Sequence, residues 1–171
     1  MLEWEGMRNP LLFTVLAAAV GFAGYAAAQD TADLPPEIQR IIRTAKEGDA
    51  MSQYNLGFLY SQGKQLEQND NKAVYWWRKA ANQGIAMAQN NLAIMYMQGK
   101  GGLERSDEEA ARLFRQAAEQ GYMEAQHNLA VMLVKGQGVE KNQKEAVEWF
   151  RKAAAQGHAG AKDALRQLGE Q

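Results

Sequence analysis

The sequence lacks cysteine altogether, and histidine occurs only at His127 and His158. A chain without cysteine forms no disulfide bonds, so its stability must come from packing. Structural zinc sites are built from four cysteine and histidine ligands, a set that this composition does not supply. We therefore expect neither a metal nor a cofactor.

The chain also lacks an excess of charge of either sign. The chain carries 19 basic and 20 acidic residues, for a formal net charge of -1, and the two signs are interleaved without a long run of either. Proteins that bind nucleic acid usually present a basic stripe to the phosphates. The balanced charge therefore argues against nucleic acid as a partner.

The first 30 residues have the composition of a secretory signal peptide. Arg8 precedes an uncharged, alanine-rich segment, residues 11–28, in which Ala26 and Ala28 occupy the -3 and -1 positions of a small-residue cleavage site. Met7 is an alternative start to Met1 that places Arg8 in a compact basic region. We predict a signal peptide over residues 1–28, a linker over residues 29–35, and a periplasmic or secreted mature protein.

The same segment has a second interpretation, an uncleaved membrane anchor. Its 18 uncharged residues approach the roughly 20 that span a bilayer. Only its first half is strongly apolar, however, which favours cleavage. In the anchored alternative the protein is held in the inner membrane and faces the periplasm, and only then is the membrane a partner.

The rest of the chain repeats itself at spacings of 36 and 37 residues. The pair Asn55-Leu56 recurs at Asn91-Leu92 and Asn128-Leu129, and we expect these asparagine amides to bond to the neighbouring helix. A period of this length is the signature of a solenoid of stacked helical units. The same register holds three further series of residues, which are Gly48, Gly84, Gly121 and Gly157; Ala73, Ala110 and Ala146; and Trp77, Phe114 and Phe150.

Each unit contains two amphipathic helices joined by a glycine-rich turn. In the second unit, Ala88, Leu92 and Tyr96 recur at i, i+4 and i+8, and Ala110 and Phe114 repeat the spacing in the following helix. One helix pair cannot bury its apolar side alone, so neighbouring pairs must stack. The sequence therefore predicts an all-α fold, a right-handed α-solenoid of antiparallel helix pairs.

Three repeats are predicted between two capping helices. The predicted bounds are 36–48 for the N-terminal capping helix, 49–84, 85–121 and 122–157 for repeats 1, 2 and 3, and 158–171 for the C-terminal capping helix. The exposed side of the last helix carries Lys162, Arg166 and Gln167, as the polar end of a stack requires.

The pattern within each unit resembles the Sel1-like repeat, a branch of the tetratricopeptide-type helical hairpins. Two departures occur: Gln65 replaces the second turn glycine in repeat 1, and Leu133 replaces a tyrosine in repeat 3. Repeat 2 carries the family pattern at Ala88, Gln89, Leu92, Ala93, Tyr96, Gly99, Gly101, Ala110, Phe114, Ala117, Ala118 and Gly121.

The resemblance implies a non-enzymatic scaffold that binds a protein or peptide. Members of the family serve envelope regulation, secretion and polysaccharide export. A cysteine-rich secreted branch has been linked to β-lactam binding, but this chain has none of that branch's cysteines. We expect an adaptor of the bacterial cell envelope, or a membrane-tethered regulator if the N-terminal segment is retained.

The resemblance also implies where a partner binds, because in tetratricopeptide-type arrays the first helix of each pair lines the concave surface. The column Phe58, Ile94 and Val131 is apolar in all three repeats. An apolar column that faces solvent is typical of a partner-binding groove; the alternative is that a short array closes on itself and buries it. The expected partner-binding residues are Tyr54, Phe58, Met87, Asn90, Ile94, Met97, His127, Val131 and Val134.

No catalytic set is evident in the sequence. The pair Glu124 and His127 lies one helical turn apart, but carboxylate–histidine pairs are common on helix surfaces. The turn at residues 99–102 lacks the preceding strand and the spacing of a phosphate-binding loop. We expect no catalytic residue, and a hydrolase or a cell-wall glycan binder is the less favoured alternative.

Overall fold

The computed structural model describes residues 31–170 of the chain. The predicted signal peptide or anchor lies outside the described residues. No helix among residues 31–170 has the length and the hydropathy that a bilayer span requires. Within this range, residues 31–39 and residues 40–170 belong to two separate compact units. In the described part of the first unit, the Gln39 side chain donates a hydrogen bond to the carbonyl oxygen of Leu34 at 2.7 Å.

Eight α-helices follow a short 3-10 turn, Thr31–Asp33, in the described chain. Helix α1 stands at the predicted N-terminal cap, the pairs α2–α3, α4–α5 and α6–α7 at the three predicted repeats, and α8 at the C-terminal cap. Their bounds are α1 Pro36–Glu47, α2 Ala50–Gln62, α3 Asp70–Asn82, α4 Ala86–Gln98, α5 Asp107–Glu119, α6 Met123–Lys135, α7 Gln143–Ala155 and α8 Ala159–Gln167.

From α2 to α8, each helix packs chiefly on the helices next to it in sequence. A one-dimensional stack of this kind defines a solenoid, because every unit contacts only its neighbours. The predicted all-α solenoid is therefore confirmed.

Local sequence fixes where the paired helices begin and end. The second helix of every repeat begins after a residue whose side chain accepts a hydrogen bond from a backbone N–H three residues later, a standard N-cap. These N-caps are Asn69, Ser106 and Asn142. The first helix of every repeat ends at a glycine in the left-handed conformation, which glycine adopts without steric cost. These glycines are Gly63, Gly99 and Gly136.

The core is built from one aromatic residue and several alanines in each repeat. Trp77, Phe114 and Phe150 are 5%, 1% and 2% exposed, and the alanines of the second helices lie around them. Small alanines let the helix backbones approach closely, and the aromatic ring fills the space that remains between neighbouring pairs. The aromatic register seen in the sequence is thus the register of the core.

Two turn glycines are required by the close approach of consecutive repeats. A Cβ atom on Gly101 would lie 2.7 Å from the carbonyl oxygen of Asp70, and a Cβ atom on Gly138 would lie 2.1 Å from that of Asp107. Each glycine therefore packs against the start of the second helix one repeat earlier. Gln65 holds the equivalent position in repeat 1 and is exposed, so this departure from the family pattern is accommodated without a clash.

Glutamine side chains tie each repeat to the one before it. In repeat 3, buried Gln126 donates from Nε2 to the carbonyl oxygen of Ala118 at 3.2 Å. Gln156 donates to Oε1 of Gln126 at 2.9 Å and to the carbonyl oxygen of Gly121 at 3.0 Å. Equivalent pairs join Gln83 to Gln53 and Gln120 to Gln89, each at 2.8 Å. The recurring glutamines are therefore structural.

Candidate partner-binding surface

The predicted apolar column lies on the first helices of the three repeats. Phe58 on α2 is 45% exposed. Ile94 on α4 and Val131 on α6 hold the equivalent positions, where they are half-buried against the core. The column therefore includes one large aromatic side chain that the fold itself does not cover.

The residues predicted to flank this column are partly accessible. Met87 lies in the first turn of α4, and Met97 lies near its end. Tyr54, Met87, Met97 and Val134 are all half-buried. Methionine side chains are flexible and polarisable, so they suit a surface that adapts to a partner.

A pocket of about 180 Å³ opens between α6, α7 and α8. Two residues predicted from the sequence, Val131 and Val134, line it together. Lys135 is the only charged residue among the described residues that line it. The other lining residues are Phe150 on α7 and Ala164, Gln167 and Leu168 on or just after α8.

Asn90 differs from the other predicted residues because it is buried, with 4% of its surface exposed. Its Oδ1 accepts a hydrogen bond from Nδ2 of Asn128, one repeat later, at 3.1 Å, and its Nδ2 lies 3.4 Å from Oδ1 of Asn91. Asn91 in turn bonds to the hydroxyl of Tyr54. Burial raises the pKa of Tyr54. The expectation that Asn90 faces solvent was wrong; the side chain belongs to an amide ladder between the repeats.

Glu124 and His127, the one acid–base pair suggested by the sequence, have separate partners. Glu124 bonds to the hydroxyl of Tyr122, and burial together with the Glu124 charge raises the pKa of Tyr122 to about 12. His127 lies with Nδ1 3.4 Å from Oδ1 of Asn128 and stacks on His158. The pKa of His127 is lowered, mainly by burial and secondly by the charge of His158. The two groups are therefore not arranged as a catalytic pair.

A second pocket carries no net charge, because its lining holds two basic residues, Arg115 and Lys141, and two acidic residues, Glu140 and Glu145. A cavity of about 360 Å³ lies beside Arg115 and Glu145, whose Nη1 and Oε1 atoms are 2.5 Å apart. This ion pair neutralises both groups. Within residues 31–170, no three histidine or acidic side chains form a group that could hold a metal ion.

Sequence reasoning missed the contribution of the C-terminal capping helix to the pocket. Ala161, Leu165 and Leu168 recur at i, i+4 and i+7 along α8, with Ala164 beside them. That spacing marks an apolar stripe on one side of a helix. It was the available signal that α8 packs against the last repeat and helps to wall a cavity there.

The chain matches the Sel1 repeat family over residues 50–85, 86–122 and 124–158. No curated protein matches it significantly. A Sel1 repeat protein from Oxalobacter formigenes has a similar crystal structure, with 36% sequence identity and a TM-score of 0.71. That alignment covers 78% of this chain and 99% of the other.

Two further solved structures are similar. The protein c5321, a protective antigen present in uropathogenic Escherichia coli strains that displays an SLR fold, is 34% identical with a TM-score of 0.71, over 75% of this chain and 27% of that protein. Helicobacter pylori cysteine rich protein B is 22% identical with a TM-score of 0.61, over 75% of this chain and 95% of that one. This last similarity shows the fold alone. With three matched repeats and these structural relatives, the chain belongs to the Sel1 repeat family, whose members are typically non-enzymatic scaffolds for protein–protein interaction.

Proposed function

We propose that this protein is a non-enzymatic adaptor of the bacterial cell envelope that holds an apolar segment of a protein partner along its first helices. The observation that carries the proposal is the exposure of Phe58, at 45%, in a column that continues through Ile94 and Val131. Burial of a large apolar side chain contributes about 1.5–3 kcal/mol. A partner that covers Phe58 gains the part of this free energy that belongs to the 45% of the side chain still exposed to solvent.

The pocket beside Val131 supplies a place for an anchoring side chain of the partner. An apolar cavity of about 150 Å³ is large enough to bind benzene, so a pocket of about 180 Å³ accommodates a leucine or phenylalanine side chain. Lys135 forms no ion pair with any described residue. Its free charge favours a partner that carries an acidic residue beside this anchor.

The envelope location is supported by the amino-acid sequence of residues 1–28. Arg8 and the alanine-rich segment after it have the order of a secretory signal, and cleavage after Ala28 would release the repeats into the periplasm or medium. The tethered alternative retains the same residues. The intact mass of the protein purified from membrane and periplasmic fractions distinguishes the two, because cleavage removes 28 residues, or 22 if translation starts at Met7.

Photo-crosslinking from position 94 tests the proposed surface. A photoreactive phenylalanine analogue replaces Ile94 in cells that express the protein naturally, and mass spectrometry identifies the adducts. One dominant adduct is expected, and Phe58→Asp should abolish it. Tyr75→Asp is the matched control, because Tyr75 is a similarly exposed aromatic residue on the second helix of the same repeat, with 52% of its surface accessible.

Circular dichroism and urea unfolding must first show that both aspartate variants remain folded. Equal loss of the adduct in Phe58→Asp and Tyr75→Asp would contradict binding along the first helices. The same photoreactive analogue is also placed at position 75. Absence of any adduct from position 94, together with a strong adduct from position 75, would place the partner on the second helices and overturn the proposal.

A further inference from the structure

Two histidines from different repeat units stack face to face near the C-terminus. The rings of His127 on α6 and His158, which precedes α8, have centroids 4.3 Å apart and planes inclined by 14°. The ring of Phe150 on α7 lies against His127, with 5.6 Å between centroids. Both imidazoles are half-buried. These two rings are the only histidines of the chain.

His158 also caps the last helix. Its Nδ1 accepts a hydrogen bond from the backbone N–H of Ala161 at 3.1 Å. An imidazole nitrogen accepts only while it carries no proton, and both ring nitrogens of the imidazolium are donors. Protonation of His158 therefore removes the cap, and it places a positive charge at the positive end of the helix dipole.

The environment of His127 disfavours a second charge. Burial lowers the pKa of His127, and a charge on His158 lowers it further. Gly160, in the first turn of α8, leaves room for both rings, since a Cβ atom there would lie 3.2 Å from Cε1 of His158 and 3.3 Å from Nε2 of His127. The helix therefore approaches the last repeat through the two imidazoles.

The other charged groups on the surrounding elements divide into those that form no ion pair among the described residues, including Lys162, Glu119 and Lys135, and those that have partners. Lys162, one turn into α8, is exposed and adds positive charge near the pair. Glu119, at the end of α5, is exposed. The groups with partners are Glu124 on α6 with Tyr122, Glu145 on α7 with Arg115, Arg151 on α7 with Glu170, Lys152 on α7 with the ring of Trp149, and Asp163 on α8 with Arg166; Lys144 and Glu148 on α7 are exposed.

We propose that the stacked pair of His127 and His158 is a pH-sensitive latch, which holds α8 against the last repeat while both rings are neutral and releases it when they take up protons. Helix α8 is suited to such release because it has only nine residues, and Ala161 is the only one of them that is fully buried. Within the described chain it packs chiefly on α7.

The direction of the pH effect follows from linkage. A histidine whose pKa is lowered in the folded state binds fewer protons there than in the open state, so the folded state loses stability as pH falls below the ordinary histidine value of 6.5. The latch is therefore closed at neutral pH and weakens in mildly acidic conditions.

Release of α8 would open one wall of the pocket beside Val131. Ala164, Gln167 and Leu168 form that wall. If a partner anchors in this pocket, its affinity falls at acidic pH together with the docking of α8. The latch itself does not depend on the proposed function, since it concerns only the chain's own last helix.

Amide hydrogen exchange of the full chain at pH 7.5 and pH 5.0 tests the latch. The quantity measured is the protection factor of the α8 amides divided by that of the α4 amides, which corrects for the intrinsic effect of pH on exchange. We expect this ratio to fall about tenfold at pH 5.0, or about 1.4 kcal/mol, the scale of a lost helix N-cap. Helix α4 serves as the internal reference because it lies in the middle of the stack.

Matched variants remove titration but keep the contacts. In His158→Asn the side-chain oxygen still caps α8, since asparagine is among the best N-cap residues, and in His127→Phe a ring of similar shape remains. The double variant should hold its ratio constant within twofold between the two pH values. An unchanged ratio in the natural protein, or the same fall in the double variant, would overturn the latch.

Discussion

Gly57 lies directly against the indole ring of Trp77, so that a Cβ atom on Gly57 would stand 2.6 Å from Cδ1 of that ring and 2.8 Å from Nε1. The indole Nε1 is buried and has no hydrogen-bond partner among the described residues. Repeats 2 and 3 replace this pair with Ala93 and Phe114, and with Ala130 and Phe150. The larger ring thus occurs with the smaller residue on the facing helix.

The first prediction is that the effect of Gly57→Ala on stability changes sign with the residue at position 77. In the natural chain it should lower the free energy of unfolding by roughly 1–2 kcal/mol, since overpacking outweighs the gain in helix propensity. In a Trp77→Phe background the clash with the indole ring is removed and only the carbonyl oxygen of Ala73, at 3.1 Å, stays close to the added methyl group, so Gly57→Ala should stabilise the protein by up to about 0.5–1 kcal/mol. Urea unfolding of the four proteins measures both values. Equal destabilisation in the two backgrounds would show that the ring does not set the residue at position 57.

The second prediction separates backbone strain from close approach at the glycines. Gly138 and Gly121 both have positive φ, 64° and 90°, but a Cβ atom meets Asp107 only at Gly138 and nothing within 4 Å at Gly121. Gly121→Ala should cost about 1–2 kcal/mol from the left-handed backbone alone. Gly138→Ala should cost at least twice as much, because it also pushes repeats 2 and 3 apart. Thermal unfolding of both variants tests this ranking, which similar costs would contradict.

Sequence alone was sufficient to predict the repeat architecture because every local signal had the same period. The aromatic series that includes Trp77, the alanines around it and the turn glycines all recur with one spacing, and one stacked unit explains each of them. Gln65 shows the limit of this reasoning. The pattern marks it as a departure, whereas only the contact between Gly101 and Asp70 shows which neighbour makes a glycine necessary.

The candidate surface was less predictable because it depends on how consecutive first helices meet. Counting along α4 placed Asn90 on the same side as Ile94, but the amide of Asn128 reaches Asn90 from the next repeat and buries it. The stack of His127 on His158 joins residues 31 positions apart in different units. No pattern within one repeat reports a contact of this kind.

The third prediction concerns the glutamine contacts between repeats. Gln126→Met preserves the length of the side chain but removes the hydrogen bond to the carbonyl oxygen of Ala118 and the acceptor of Gln156. Loss of buried hydrogen-bond partners costs about 1–3 kcal/mol. The control Gln116→Met changes an exposed glutamine on α5 and should alter stability by less than about 0.5 kcal/mol. Urea unfolding compares the two; an equal effect would mean that the buried glutamines do not bind the repeats together.

The fourth prediction is a pH-dependent contribution from the ion pair that joins α5 to α7. Nη1 of Arg115 lies 2.5 Å from Oε1 of Glu145, which also accepts a hydrogen bond from Nε1 of Trp149 at 3.2 Å. The hydrogen bond from Arg115 is the main reason that the pKa of Glu145 is lowered. A carboxyl group with a lowered folded pKa stabilises the protein above its unfolded pKa, and this stabilisation is lost as the pH falls through the folded value.

Glu145→Gln should therefore lower the free energy of unfolding at pH 7 by up to about 1 kcal/mol, the usual limit for a pair that water still reaches. The difference from the natural protein should shrink as the pH is lowered from about 4.5, the ordinary value for the group, and it should also shrink in high salt because exposed charges are screened. Glu148→Gln, at an exposed position on the same helix, should have little effect at any pH. Urea unfolding between pH 7 and pH 3 measures all three proteins. If the loss in Glu145→Gln were constant over this range, the side chain would act through its contact with Trp149, since only the charge on Glu145 makes the stabilisation depend on pH.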